Sequence, residues 1–285
     1  MKSLATSVVA IAGFIGTSAF AADMGVPAAP PPAPVWNWTG WYAGVNLGAS
    51  FGSVKTDFNA PVTVTVATTG APFVGTTSFA GSNREYPDGF MGGGQIGYNW
   101  QFSPIWVVGF EADFQGAAEK DHNTLSNINF FSPTAASGPT VLDYSTQIDW
   151  FGTVRVRAGY VWGNGNVFSY VTGGLAYGEV KINGTSTVSV TNLVPAMTPS
   201  PITQAFSHSQ VNTGWAAGYG TEGRLGNSNW TWKVEGLYMG LGSIDAAGGS
   251  FTTHAANVTL TAGPVTTHTR FNDGTLRGGL NYKFY

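Results

Sequence analysis

Two sets of residues in this chain carry chemical potential. The first is its four histidines, His122, His208, His254 and His268. His122 follows Asp121, and His208 lies between Ser207 and Ser209. Those residue types serve acid–base and nucleophilic catalysis. Adjacency along a chain does not align reacting groups, which must meet in space. His254 and His268 share one segment but lack close metal-ligand spacing and any cysteine partner. They could supply one weak metal or haem contact; solvated loop histidines are the plainer reading. No Gly-Lys-Ser/Thr phosphate loop is present, and Gly92-Gly93-Gly94 falls inside a strand pattern. The expectation is therefore a protein that is not an enzyme, with no catalytic, cofactor-binding or metal-binding residue assigned.

The second set is charged: Glu111, Asp113, Asp149, Arg155, Arg157, Glu222, Arg224, Lys233, Glu235, Arg277 and Lys283. Glu111 and Asp113, Arg155 and Arg157, and Lys233 and Glu235 are each two residues apart. On a strand that spacing puts both members on one face. Only 9% of the chain is charged, against about 25% in ordinary soluble domains. Five acids and six bases on inward faces could neutralise one another. Unpaired they would be costly, while paired and hydrogen-bonded they can persist. The set predicts a nearly neutral salt-bridge network filling a narrow lumen. An ion path or pH-gated pore through the network is the competing reading.

The segments that must position these residues alternate with period two. Ile148 to Trp162 sets Ile148, Trp150, Val154, Val156, Tyr160 and Trp162 opposite Asp149, Thr153, Arg155 and Arg157. The same pattern runs through 41–52, 89–102, 105–117, 212–225, 230–240 and 275–284. An eighth strand is predicted over 167–181, with its facing undetermined. Several segments exceed the roughly 9–11 residues that cross a bilayer. Ser103-Pro104, Gly163-Asn164-Gly165-Asn166 and Gly226-Asn227-Ser228-Asn229 are short turns, and an Asn-Gly step suits a tight hairpin. The other connections, 53–88, 118–147, 182–211 and 243–268, read as long loops rich in Thr, Ser, Asn, Ala and Pro. Short turns and long loops in alternation predict an all-β, eight-stranded antiparallel transmembrane up-and-down barrel with four long outer loops. Aromatics cluster at both strand ends: Trp36, Trp38, Trp41, Trp100, Trp106, Trp162, Phe168, Trp230, Trp232, Tyr282 and Phe284 at the turn end, and Phe51, Phe90, Phe114, Trp150, Trp215 and Tyr238 at the other. They read as two interfacial girdles.

Composition agrees. The 285 residues include 40 Gly, 10 Trp, 11 Tyr, 18 Phe and no Cys. The net charge is −3 with scattered bases, which argues against a nucleic-acid binder. No apolar run long enough for a membrane-spanning helix follows Gly16. Residues 1–21 read as a secretory signal peptide, with Lys2, a short apolar core and an Ala19-Phe20-Ala21 cleavage site. Residues 22–36 read as a Pro/Ala-rich periplasmic linker, and 37–285 as the barrel. An even strand number puts both termini in the periplasm.

Four segments carry a family resemblance: Trp38-Thr39-Gly40-Trp41-Tyr42-Ala43-Gly44, and the runs 93–101, 170–178 and 276–284. With the export signal and Pro/Ala linker they resemble the small outer-membrane immunogenic, porin-like surface proteins of alphaproteobacteria, within the OmpA-like eight-stranded barrel superfamily. The resemblance covers roughly residues 36–285 and is strongest in the strands. It implies an outer-membrane barrel with antigenic loops, in contact with outer-membrane lipids and lipopolysaccharide. It also implies a C-terminal assembly signal, here Leu280, Tyr282 and Phe284, read by the barrel-assembly machinery, although Tyr285 follows it. Three functions stay open: a structural surface barrel, a small diffusion channel, and a barrel binding haem or a host partner through its loops; the resemblance implies an association of some relatives with haem binding.

Overall fold

A computed structural model describes residues 36–67, 70–131, 136–189, 201–255 and 258–284. The expected signal peptide, the linker up to Val35, and Tyr285 lie outside the described residues. Eleven strands form one antiparallel sheet: β1 (Gly40–Val66), β2 (Phe73–Glu85), β3 (Asp88–Gln101), β4 (Trp106–Phe131), β5 (Ala136–Trp162), β6 (Val167–Val188), β7 (Ile202–Arg224), β8 (Trp230–Ala247), β9 (Phe251–Ala255), β10 (Val258–Ala262) and β11 (Thr266–Lys283). Eight staves, in the order β1-β3-β4-β5-β6-β7-β8-β11, close into a barrel. The closing seam pairs β1 with β11 from Tyr42–Lys283 to Asn59–Thr266.

The count of eleven corrects the expected eight, and the reason is local. Proline has no amide hydrogen to give a ladder. The stave that would be continuous through β2 and β3 is interrupted at Tyr86-Pro87. The segment Gly263-Pro264-Val265 likewise parts β10 from β11. Above these breaks β1 changes partners, running against β2 to Val66–Phe73 and against β10 from Val62–Ala262. The four connections read as long loops are therefore mostly strand. β1, at 27 residues, extends roughly 90 Å at 3.3 Å per residue, far beyond a bilayer. Its upper part alternates Val62, Val64 and Val66 inward with Thr63 and Thr65 outward, a β-branched pattern that favours extended chain. Thr and Ser composition had suggested loops; the alternation of Val with Thr decides for strand.

The short turns stand where expected. Gly163, Asn164 and Gly165 all have positive φ, at 60°, 56° and 87°. Glycine adopts this at no cost and asparagine tolerates it. The outward face of the lower barrel carries Val45, Leu47, Phe51, Ile96, Phe110, Val156, Val171, Leu175, Tyr219 and Leu276, all exposed. The spanning segments they mark run approximately 41–51, 90–100, 106–114, 150–162, 167–177, 215–225, 230–238 and 276–284. The previously unplaced strand β6 turns Phe168, Tyr170 and Ala176 inward and Val171 and Leu175 outward.

Inside, the barrel is layered. At the turn end Trp38, Val107, Val161, Phe168 and Tyr170 form an apolar floor. Trp38 and Phe168 had been assigned to the outer girdle. Instead the Trp38 ring packs 5.5 Å from Phe168, and its indole N–H donates to the Gly165 carbonyl at 3.0 Å. A charged layer follows. Above it lies an apolar core, mostly beyond the spanning segments, that includes Val54, Met91, Ile148, Phe151, Met239 and Phe271. A last aliphatic cluster around Val62, Val64, Ile202 and Leu260 fills the hairpin tips.

Glu85 interrupts the upper core. Its Oε2 accepts from the Thr146 hydroxyl at 2.7 Å, while Oε1 has no protein partner. Burial pushes its carboxyl above the ordinary value. A raised carboxyl binds its proton more tightly in the folded state, so its contribution is intact below the unfolded pKa of about 4.3 and is lost as pH rises through the folded value. Glu85→Gln is expected to raise the urea midpoint at neutral pH and to flatten the decline of stability between pH 4 and neutrality. Urea unfolding of the refolded protein across that range checks it; an unchanged slope would contradict it.

Candidate functional site

The charged layer is built from seven staves. Glu111 and Asp113 come from β4, Arg155 and Arg157 from β5, Glu222 from β7, Lys233 and Glu235 from β8, and Arg277 from β11. Tyr42 on β1 and Tyr170 on β6 complete it. All eight charged residues are nearly inaccessible to solvent. They number four acids and four bases, so the formal sum is zero.

Register explains the pairing. Glu111 stands opposite Arg155, Glu222 opposite Lys233, and Glu235 opposite Arg277. Arg155 bonds Glu111 at 2.7 Å and Asp113 at 2.9 Å, and approaches Glu235 at 3.2 Å. Arg277 bridges Asp113 at 2.8 Å and Glu235 at 2.5 Å. Lys233 donates to both oxygens of Glu111, at 2.6 and 2.8 Å. Arg157 binds Glu222 at 2.8 Å and Asn99 at 2.9 Å, and lies over the rings of Tyr42, Tyr170 and Phe168. Such stacking favours the flat guanidinium, so lysine at this position would not be equivalent.

One device appears twice. The Tyr42 ring lies across Gly97 on the next strand and donates to Glu111 one strand further, at 2.8 Å. Tyr170 lies across Gly220 and donates to Glu235, also at 2.8 Å. A Cβ at Gly220 would stand 2.5 Å from the Tyr170 ring. Glycine covered by an aromatic ring is a recurrent means of fixing register in curved sheets. Here it also delivers a hydroxyl to each buried glutamate.

Three charges expected in the lumen network are placed elsewhere. A β-bulge between Ile148 and Trp150 shifts the alternation of β5. Ile148 and Phe151 therefore both face inward, and Asp149 faces outward, where it pairs with Lys181. Arg224 and Lys283 lie at the turn end over the Trp36 ring, at 4.5 and 4.7 Å. Arg224 donates to the Ser228 carbonyl and Lys283 to that of Asn37. Leu280 and Tyr282 on β11 and Phe284 just past its end are exposed on the outer side, with Tyr282 edge-on to Trp230 at 5.2 Å. The sequence reading did not assign Tyr42, Asn99 or Tyr170 to the network; their inward alternation with Gly44, Gly97 and Thr172 was the available signal.

The histidines stay apart from this layer. His122 pairs with Asp143 at 3.1 Å and His268 with Asp245 at 2.6 Å, all substantially exposed. His254 contacts the Thr259 hydroxyl at 2.9 Å.

A closed antiparallel barrel, apolar in a belt outside and charge-paired within, defines an integral membrane protein that spans by strands. The comparisons with known proteins specify it further. The chain belongs to the outer membrane protein β-barrel domain family, whose model matches residues 17–284. It is 35% identical to the 31 kDa outer-membrane immunogenic protein of Brucella melitensis, with all of both chains covered. It is 26% identical to the 25 kDa outer-membrane immunogenic protein of Brucella abortus, covering 100% of this chain and 99% of that one. Among solved structures it is similar to Ail, the attachment invasion locus protein of Yersinia pestis, at 14% identity and TM-score 0.30, covering 86% of this chain and 99% of that one. The protein is thus an outer-membrane β-barrel, as the strand motifs implied.

Removing one partner of a buried ion pair leaves the other charge uncompensated and costs about 3–5 kcal/mol. Arg155→Met is expected to destabilise the refolded barrel by that amount. Gly220→Ala, which forces the Tyr170 ring aside, is expected to cost about 1–3 kcal/mol. Equilibrium urea unfolding in detergent or vesicles measures both; a loss under ~0.5 kcal/mol for either would refute the assigned role.

Proposed function

We propose that the protein is a structural surface barrel of the outer membrane whose lumen is closed and whose β-hairpins are displayed outside the cell. The observation that carries this reading is the stacking of three filled layers along one lumen. The Trp38–Phe168 floor, the neutral charged layer and the apolar core around Met91 and Phe271 succeed one another. An eight-stranded barrel has room only for side chains, and in these three layers they pair or pack. The inner charges act as structural cross-ties between staves, with no catalytic part.

Both chain ends belong in the periplasm on this reading. The three short turns and the first and last described residues share one end, where the Phe284 amide donates to the Trp41 carbonyl at 2.8 Å. Outer-membrane barrels place short turns on the periplasmic side and longer connections outside. The apolar belt then meets outer-membrane lipids and lipopolysaccharide. Leu280, Tyr282 and Phe284 present an alternating terminal strand to the barrel-assembly machinery. The relatives' description as immunogenic supports display of the hairpins as surface antigens.

Planar-bilayer recording of the refolded mature protein tests the closed lumen. The expected result is an electrically silent insertion, with Arg155→Ala and Glu235→Gln producing at most irregular leak. Stable step-like openings in the wild type, altered in size by those substitutions, would instead make the charged layer a pore lining.

A further inference from the structure

Between the charged layer and the apolar core lies a polar layer that the pairing above does not absorb. Among the described residues, fourteen buried side-chain nitrogen and oxygen atoms find no hydrogen-bond partner. Seven of the fourteen belong to four residues on two strands, Gln115 and Glu119 on β4 and Asp273 and Thr275 on β11. Both oxygens of Glu119 and both of Asp273 are in this set, with the residues 0% and 1% exposed. Gln115, 0% exposed, leaves both ends of its amide unpartnered, and Thr275, 4% exposed, leaves its hydroxyl unpartnered.

The topology brings these groups together. β4 and β11 are separated only by β3 and β1. Thr275 stands opposite Ser50 on β1, and Ser50 opposite Gly89 on β3. A Cβ on Gly89 would lie 3.1 Å from the Glu119 Cα. Glycine at this place keeps a side chain from crowding Glu119, and the Ser50 hydroxyl lies near the Glu119 carboxylate. Asp273 sits two residues beyond Thr275 on the same face, and the charges of Asp273 and Glu119 act on one another. The Ser50 hydroxyl lies beside the Glu119 carboxylate and the amides of Phe51 and Gly274 beside that of Asp273, while the Ser50 hydroxyl also donates to the Gly89 carbonyl at 3.5 Å. Gln115 lies on the same inward row of β4, its Oε1 over Gly93.

Charge decides what this layer needs. The eight-residue network beneath is already neutral, so Glu119 and Asp273, when ionised, add two negative charges with no basic partner of their own; burial raises both carboxyls above the ordinary range. Two buried like charges without compensation are strongly unfavourable. A monovalent ion would leave one charge. Two carboxylates with neutral hydroxyl oxygens form a hard, all-oxygen donor set, and calcium accepts irregular shells of six to eight oxygens completed by water. We propose that this layer binds one divalent cation of the calcium class, held by Glu119 and Asp273 with the hydroxyl oxygens of Thr275 and Ser50. The ion ties β4 to β11 across the two intervening strands. The sequence reading assigned no metal here because Glu119 fell within a segment read as loop and Asp273 just before the last strand.

The test uses the full mature chain refolded in detergent, with folding verified by heat-modifiable gel migration. Calcium content is measured after desalting, and urea midpoints are taken with calcium and with chelator. The wild type is expected to retain a single calcium per chain and to gain stability from it. Glu119→Gln and Asp273→Asn should each weaken retention at least ~10-fold, since each removes one of two charged ligands. Lys181→Gln on the outer face should leave retention unchanged. A crossover separates binding from a merely structural role. In chelator Glu119→Gln should be more stable than wild type, because an uncompensated charge is gone; in calcium the order should reverse. Folded wild type that retains no calcium would overturn the proposal. So would retention unaffected by the double substitution. So would a protonated-carboxyl infrared band in metal-free wild type, lost in Glu119→Gln and insensitive to added calcium, which would assign the pair a shared proton.

Discussion

Width is the constraint on which this structure depends. Eight staves enclose a lumen that side chains largely fill, so an inward charge has little bulk water to fall back on. In the charged layer each charge finds its partner on another strand. The charged layer meets the requirement with four acids and four bases, nearly inaccessible and formally neutral. Its members bond across register pairs and beyond them, so strands not adjacent in the sheet are tied through the interior. Arg277 on β11 reaches Asp113 on β4, and Lys233 on β8 reaches Glu111. A buried ion pair gives little net stability over an apolar replacement, but a broken one is costly. The layer therefore acts chiefly as a check on register and closure. A slip by one residue would turn its charges toward lipid.

The same economy shapes the neighbouring layers. Tyrosine crosses glycine twice to bring a hydroxyl to a glutamate. The floor uses Trp38 and Phe168 where a girdle might have taken them. Above the spanning segments the staves continue as strand and carry their own core of Val54, Ile148, Met239 and Phe271. What would otherwise be mobile loops becomes a packed extension with Thr and Ser on its outer surface. A rigid extension of that kind presents a fixed surface, which suits display.

Much of this was legible in sequence, for physical reasons. Glu111 with Asp113, Arg155 with Arg157, and Lys233 with Glu235 are spaced by two, and their common face follows directly from the pleat. The short turns announced themselves through glycine and asparagine. Asp149 was misplaced because a bulge changes the phase of alternation without a residue type that marks it. Arg224 and Lys283 kept the right end but not the right layer, since alternation says nothing of depth. The long connections misled through composition, and Glu119 was lost with them, while Asp273 fell just before the segment read as the last strand. Trp36, Trp38 and Phe168 show the converse limit, for an aromatic at a strand end fits a girdle or a floor equally well.

The central claim is that the inner charges stabilise the barrel as coupled pairs. A double-mutant cycle on Glu235 and Arg277 tests it most directly. Urea unfolding of Glu235→Gln, Arg277→Met and the double variant gives the coupling. The account predicts that each single change loses about 3–5 kcal/mol and that the double variant recovers most of one loss, because no charge is then left without its partner. Strictly additive losses would contradict it, and would mean that the two residues stand side by side without depending on each other.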